Sequence, residues 1–233
     1  MFSKHSKPIN IKQFHSLIMK KPFVIFDMDG VLIHSIPEHY HSYKVLFARY
    51  GIDYKFSEFD VHDLTSGVMH VIPRVMHGKS FDLEKMITEK NKLIRYDKIR
   101  LNSGVLPLIR QLKKDGYKIA VASGGSRDFL NKILKKRKIY NYFDVIVTGD
   151  DHVRKKPFPD IFLKAAKKLG AKPSECIVIE DTKDGVTAAR RAGMKVIGHF
   201  VPMEKQDLSK ANKIVKGMAK IDIKLILRLM KKE

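Results

Sequence analysis

Short apolar runs that alternate with amphipathic stretches closed by glycine restrict this chain to a small set of folds. The runs are Phe23-Val24-Ile25-Phe26, Tyr117-Lys118-Ile119-Ala120-Val121-Ala122, Val145-Ile146-Val147, Ile177-Val178-Ile179 and Val196-Ile197-Gly198, with Lys213-Ile214-Val215 as a last short candidate. Near-continuous apolar runs of this length suit strands covered on both faces. The segments between them read as helices over 105–114, 161–169 and 185–192, which stop at Gly116, Gly170 and Gly193. In the first, Leu108, Ile109 and Leu112 share one face. Strand, helix and glycine repeated in this order predict right-handed βαβ units and a parallel sheet, an α/β fold.

The stretch 36–100 breaks the rhythm. It reads as helices over 38–50, ended by Gly51, and over 82–96, after a loop containing Gly78, with no strand expected. Helices inserted after the first strand are read as an α-helical cap over one end of the sheet. The chain then divides into a basic N-terminal extension at 1–21, with a helix expected over 11–19, an α/β core at 22–35 and 101–233, and the cap at 36–100.

Composition excludes some function classes. No window approaches the roughly 18 consecutive apolar residues of a membrane span, so no membrane partner is expected. One cysteine, Cys176, rules out an internal disulfide framework; it opens an apolar run and reads as a small buried residue in a cytoplasmic protein. Lys and Arg total 46 against 25 acidic residues, a net charge of +21. The basic residues are spread along the chain and no nucleic-acid recognition motif accompanies them, so the expected partner is a small anion met by a monomer, and a nucleic-acid role is set aside.

In a parallel sheet, ligands bind beyond the carboxyl ends of the strands. The polar residues there are Asp27 and Asp29, then Ser123 with Gly124, then Lys156, then Glu180 and Asp181. Carboxylates alone would repel one another, and oxygen ligands without paired His or Cys favour Mg²⁺. An amine and a hydroxyl beside a bound cation suit a phosphate group. Asp27 would attack phosphorus and form an aspartyl-phosphate, while Asp29 would protonate the leaving oxygen and later take a proton from water. Taken singly, each element has a plain structural reading: a capped turn, a surface lysine before proline, or a helix cap.

Order and spacing add a resemblance. Val24-Ile25-Phe26-Asp27-Met28-Asp29-Gly30-Val31-Leu32 resembles the nucleophile motif of the haloacid dehalogenase superfamily. Val121-Ala122-Ser123-Gly124-Gly125-Ser126, Lys156-Pro157-Phe158-Pro159-Asp160 and Val178-Ile179-Glu180-Asp181-Thr182 resemble its serine, lysine and metal motifs. The likeness is greatest to the phosphatase and beta-phosphoglucomutase branch with a helical cap. It implies a Rossmann-like sheet in strand order 5-4-1-2-3, Mg²⁺ held by Asp27 and Asp181 carboxylates and the Asp29 carbonyl with Glu180 assisting, and phosphate held by Ser123, Gly124 and Lys156. Two departures stand out: Lys155 replaces the usual glycine before the motif lysine, and His34-Ser35-Ile36-Pro37 replaces an acidic hinge.

The cap carries weaker signals. By the resemblance, His39 faces the active site, Lys90 with Asn91 matches a cap lysine pair, and Thr65-Ser66-Gly67 matches a cap loop. His70 stands where a mutase would offer arginine to a second phosphate. Each also reads as an ordinary helix or loop residue. The expected function is therefore a Mg²⁺-dependent phosphatase for a small phosphorylated metabolite such as a sugar phosphate. The alternatives are a beta-phosphoglucomutase-type mutase and, more remotely, a non-catalytic anion- or nucleic-acid-binding protein.

Overall fold

The computed structural model describes residues 21–58, 68–201 and 206–231; the expected N-terminal helix and the loop Thr65-Ser66-Gly67 lie outside them. A six-stranded sheet forms the centre. Its strands are β1 (Phe23–Phe26), β4 (Ile119–Ala122), β5 (Val145–Val147), β6 (Cys176–Glu180), β7 (Lys195–Phe200) and β8 (Lys213–Lys216). They lie in the order β5-β4-β1-β6-β7-β8, and every neighbouring pair is parallel. Counted among themselves, the first five run fifth-fourth-first-second-third, the order implied by the family resemblance. β8 adds a sixth strand outside the fifth.

Alternation along the central strands explains why their sequences are apolar throughout. Val24, Phe26, Ile177 and Ile179 enter the core on one face, while Phe23, Ile25, Cys176 and Val178 enter the core on the other. The first face is covered by α4 (Val105–Lys114), α5 (Arg127–Lys136) and α8 (Ile223–Met230), which insert Leu108, Ile109, Ile133 and Ile226. The second is covered by α6 (Asp160–Leu169) and α7 (Lys183–Arg191), through Phe162, Ala165 and Ala189. Cys176 is fully buried, and burial raises its thiol to about 12. Ser126 and Thr182 cap α5 and α7 through the Phe129 and Gly185 N–H groups, so both helices begin just beyond the ends of β4 and β6.

After β1 the chain forms a short ribbon, β2 (Ile33–His34) against β3 (Arg100–Leu101), antiparallel. No strand was expected near residue 100; two-residue strands carry too little alternation to show in a sequence. Between them lie α1 (Ile36–Ala48), α2 (Val68–Val75) and α3 (Leu83–Lys92). Pro37 sits in the first turn of α1, so that helix starts earlier than expected. Asp82 caps α3 through the Lys85 N–H, so that helix starts after it. These helices share a separate apolar cluster of Tyr43, Leu46, Phe47, Val71, Ile72 and Met86, to which Val201 from the core also contributes. Among the described residues no helix is long and apolar enough to cross a membrane.

Candidate active site

β1 sits between β4 and β6, so the residue following it emerges at the centre of the sheet edge. That residue is Asp27, whose N–H donates to the Ile179 carbonyl at 3.0 Å and so prolongs the ladder with β6. Glu180 ends β6 beside it and Asp181 follows. One carboxylate oxygen from each of Asp27, Glu180 and Asp181 lies within 4.8 Å of the others, and all three residues are buried. Asp27 is pushed up to about 7 by burial and by the neighbouring Glu180 and Asp29 charges, although Lys156 opposes them.

Lys156 reaches this cluster from the loop before α6. Its Nζ donates to Asp27 Oδ1 at 2.6 Å and Glu180 Oε1 at 2.5 Å, and lies 5.0 Å from the centre of the Phe162 ring. Burial alone would lower the lysine's pKa, but the Asp27 and Glu180 charges outweigh it and raise it, so the amine stays an ammonium. Glu180 is also fixed by the Thr182 N–H at 2.6 Å and hydroxyl at 3.0 Å. Two glycines make the close packing feasible. A Cβ on Gly30, which has φ +74°, would overlap the Asp181 carboxylate, and one on Gly185 would overlap Glu180.

Ser123 follows β4 and is buried; its Oγ accepts from the Gly125 N–H at 3.2 Å. Ser123, Gly124, Lys155 and Lys156 line the same cavity as Asp27 and Asp181, a space of about 490 Å³. Three buried carboxylates gathered around one ammonium concentrate negative charge at this point of the cavity. A hard divalent cation would balance it, and an all-oxygen donor set fits Mg²⁺. The donor set thus accommodates the expected metal through Asp27, Glu180 and Asp181. Asp29 differs, because its side chain turns toward the cap.

Asp29 Oδ1 accepts from Ser35 Oγ and lies 3.6 Å from His39 Nε2. Burial would raise this carboxyl, but the His39 contact, the Ser35 hydrogen bond and the Lys90 charge hold it below the usual carboxylate range. His39 comes from α1 and its Nδ1 lies 3.1 Å from Lys90 Nζ on α3. Burial and the Lys90 charge keep its pKa below the ordinary value. A neutral ring accepting from the ammonium at Nδ1 carries its proton at Nε2, toward Asp29. Lys90 is buried over the Tyr43 ring at 5.0 Å, and burial lowers it to about 8.

The structure therefore brings Asp27, Asp29, Ser123, Gly124, Lys156, Glu180, Asp181, His39 and Lys90 to one cavity. His70 is not brought there. It is exposed on α2, which turns Val71 and Ile72 inward and Met69 toward the cavity. No motif singles out three further residues that hold the site's backbone. Asn102 Nδ2 donates to the Gly30 and Val31 carbonyls, His199 Nδ1 contacts the Gly30 carbonyl, and Gln206 Nε2 donates to the Asp181 carbonyl at 2.6 Å. For His199 a signal existed: a polar side chain inside an otherwise apolar strand.

Known proteins share the fold and the sequence family. The sequence model of the haloacid dehalogenase-like hydrolases matches residues 24–199. A phosphorylated carbohydrates phosphatase of Thermotoga maritima is 31% identical over 181 residues, covering 75% of this chain and 82% of that protein. The fructose-1-phosphate phosphatase YqaB of Escherichia coli is 29% identical over 177 residues, 75% of this chain and 94% of that one. The crystal structure of a beta-phosphoglucomutase from Clostridium difficile superposes with a TM-score of 0.79 at 27% identity, covering 91% of this chain and 97% of the other. With four motifs at four strand ends and a family match over most of its length, the chain belongs to the haloacid dehalogenase-like hydrolases.

Proposed function

We propose that this chain, a phosphoric monoester hydrolase by family, moves the phosphoryl group of a small phosphorylated metabolite, a sugar phosphate, first to Asp27 and then to water. The observation that carries this reading is the Lys156 ammonium bridging Asp27 and Glu180 at the floor of a cavity that Asp29 overlooks. In the first step an Asp27 carboxylate oxygen bonds to phosphorus and the bond from phosphorus to the substrate alcohol breaks. Asp29 passes a proton to the departing oxygen. In the second step water attacks the phosphorus of the aspartyl-phosphate, Asp29 takes a proton from it, and inorganic phosphate leaves with Asp27 regenerated.

Asp27, Glu180 and Asp181, with the Asp29 carbonyl, are the groups proposed to hold Mg²⁺; when bound, it neutralises charge on the transferring phosphoryl oxygens. Lys156, Ser123 and the Gly124 backbone hold the same oxygens from the other side. The His39 and Ser35 contacts and the Lys90 charge hold the Asp29 carboxyl below the usual carboxylate range, so the proton for the first step is acquired once a phosphate dianion beside it raises its pKa. His39, with its Nε2 toward Asp29, orients that carboxyl.

Support for a sugar phosphate comes from the Thermotoga and Escherichia relatives, a phosphatase of phosphorylated carbohydrates and one of fructose 1-phosphate. The mutase alternative shares every step up to the aspartyl-phosphate and differs in its acceptor, a sugar monophosphate in place of water. The test is phosphate release from a panel of sugar phosphates with and without Mg²⁺, and from β-glucose 1-phosphate with catalytic glucose 1,6-bisphosphate. Mg²⁺-dependent release, lowered at least about 10³-fold in Asp27→Asn, is expected. Formation of glucose 6-phosphate faster than phosphate release would replace the phosphatase by the mutase. No release from any ester would overturn both.

A further inference from the structure

The turn that carries Asp29 is held by its neighbours in an uneven way. Asp27, at its start, is fixed by the sheet through its N–H bond to Ile179. Asp29 is two residues farther on, and its side-chain partners, Ser35 and His39, both belong to the entry of the cap. The backbone on either side of Asp29 is fixed by its neighbours: the Met28 carbonyl accepts from the Leu32 and Ile33 N–H groups at 2.9 and 3.0 Å, and Gly30 follows. Its N–H donates to the Ile33 carbonyl at 2.9 Å, and its left-handed backbone lies against Asp181 with no room for a side chain.

The Gly30 carbonyl receives two bonds, from Asn102 Nδ2 at 2.8 Å and His199 Nδ1 at 2.9 Å, one for each lone pair. A carbonyl cannot donate, so the His199 proton sits on Nδ1, and burial keeps the ring's pKa below its ordinary value. Asn102 does more than this. The same amide reaches the Val31 carbonyl at 2.9 Å, and the Asn102 N–H donates to the Leu32 carbonyl at 3.0 Å. One residue therefore ties three successive carbonyls. Asn102 directly follows β3, the strand by which the chain returns from the cap, and His199 lies on β7, beside the strand that leads to Asp181.

We propose that Asn102 and His199 are positioning residues: by clamping the Gly30 carbonyl between the cap's return strand and β7, they set where Asp29 stands for proton transfer. This rests on Asp29 being the acid–base group of the reading above. The clamp touches neither Asp27 nor Lys156. With the assay at saturating Mg²⁺, any weakening at the Asp29 carbonyl or Asp181 is offset by mass action. Loss of the clamp should then weaken protonation of the leaving group far more than nucleophilic attack, a signature that general loosening of the fold does not produce.

Esters of graded leaving-group basicity read that difference. p-Nitrophenolate departs without a proton, phenolate needs one more, and a sugar alkoxide needs one most. The experiment measures kcat and KM for p-nitrophenyl phosphate, phenyl phosphate and the best sugar phosphate of the panel in wild type, Asn102→Ala, Asn102→Asp, His199→Val and His199→Asn, alongside Asp29→Asn. Asn102→Asp keeps the shape and removes the donor, so it decides the matter if Asn102→Ala does not fold, as judged by thermal melting.

The expected result is a fall in kcat of about tenfold or more on the sugar ester for Asn102→Asp and His199→Val, with p-nitrophenyl phosphate within about twofold of wild type and phenyl phosphate between. KM should change little, Asp29→Asn should show the same ranking more steeply, and His199→Asn, which keeps an N–H donor at the position of Nδ1, should recover most of the loss. Equal losses on all three esters, or no loss on any, would overturn the clamp while leaving the phosphatase intact. A wild type inactive on every ester would overturn the parent reading and the clamp with it.

Discussion

The two sides of the active-site cavity are built by different means. On the core side, Asp27, Ser123, Glu180 and Asp181 each sit at or just past the end of a parallel strand. Their positions follow from register: Phe26 pairs with Val121 on one side and Ile179 on the other, so the residues that follow arrive together. On the cap side, His39 and Lys90 come from two helices, and they meet only because α1 packs on α3 through Tyr43, Phe47 and Met86. A strand end delivers its side chain by backbone hydrogen bonding, whereas a helix delivers its own by rotation and tilt, which tertiary packing sets. Substitutions on the two sides should therefore fail differently.

The largest effect is expected at Lys156. Lys156→Ala leaves Asp27 and Glu180 facing each other in a buried site with no ammonium between them. Phosphate release should fall about 10³-fold. In the absence of Mg²⁺ the fold should lose about 3 kcal/mol, since breaking one side of a buried ion pair strands the charge of the other. Added Mg²⁺ should raise the melting temperature of this variant, because a cation that binds only the folded site stabilises it by mass action. An unchanged melting temperature without metal would show that the core side tolerates uncompensated carboxylates, and the electrostatic account of the site would fall.

A smaller and different loss is expected across the cavity. Lys90 is buried, and burial lowers its pKa to about 8, so an apolar side chain of similar length removes a charge the cap holds at some cost. Lys90→Met should melt no lower than wild type. Its kcat/KM for the sugar phosphate should fall about tenfold, because His39 loses the donor at Nδ1 that fixes its tautomer toward Asp29. The Mg²⁺ concentration at half-maximal activity should not move. A shifted Mg²⁺ midpoint would mean that cap and metal cluster are one electrostatic unit, and the distinction between the two sides would need redrawing.

The same division governs what could be read from the sequence. The five core strands and the residues at their ends were legible, because an apolar run, a polar stop and a glycine-ended helix record burial on both faces and the place where it ends; their order came from the family resemblance alone. Mutual spacing then served as a second signal for Asp27, Asp29, Ser123, Lys156 and Asp181. The ribbon of Ile33–His34 with Arg100–Leu101 was not legible, being too short for a period, and α8 carried no motif. Asn102 and Gln206 escaped because their work is done on backbone carbonyls, which have no sequence of their own. Asp29 was read as the acid–base group, but that Ser35 joins His39 in holding its side chain toward the cap depends on how α1 packs, which no spacing records.

His70 gives the smallest expected effect and bears most directly on how the cap is read. On sequence it occupies the place of a residue offered to a second phosphate. The structure instead places it on the outer side of α2, where Val71 and Ile72 take the buried positions and Met69 takes the one toward the cavity. Successive helical residues are about 100° apart, so with Val71 turned inward its neighbour His70 cannot share that direction. His70→Ala should accordingly leave kcat/KM for sugar monophosphates within about twofold of wild type, and surface substitutions of this kind change stability by no more than about 0.5 kcal/mol. Assaying this variant with a sugar bisphosphate as well as a monophosphate makes the measurement decisive. A loss of about tenfold confined to the bisphosphate would bring α2 into the site in the working enzyme, so that the cap's helices would have to rotate on substrate binding, and the mutase reading would gain the residue it lacks.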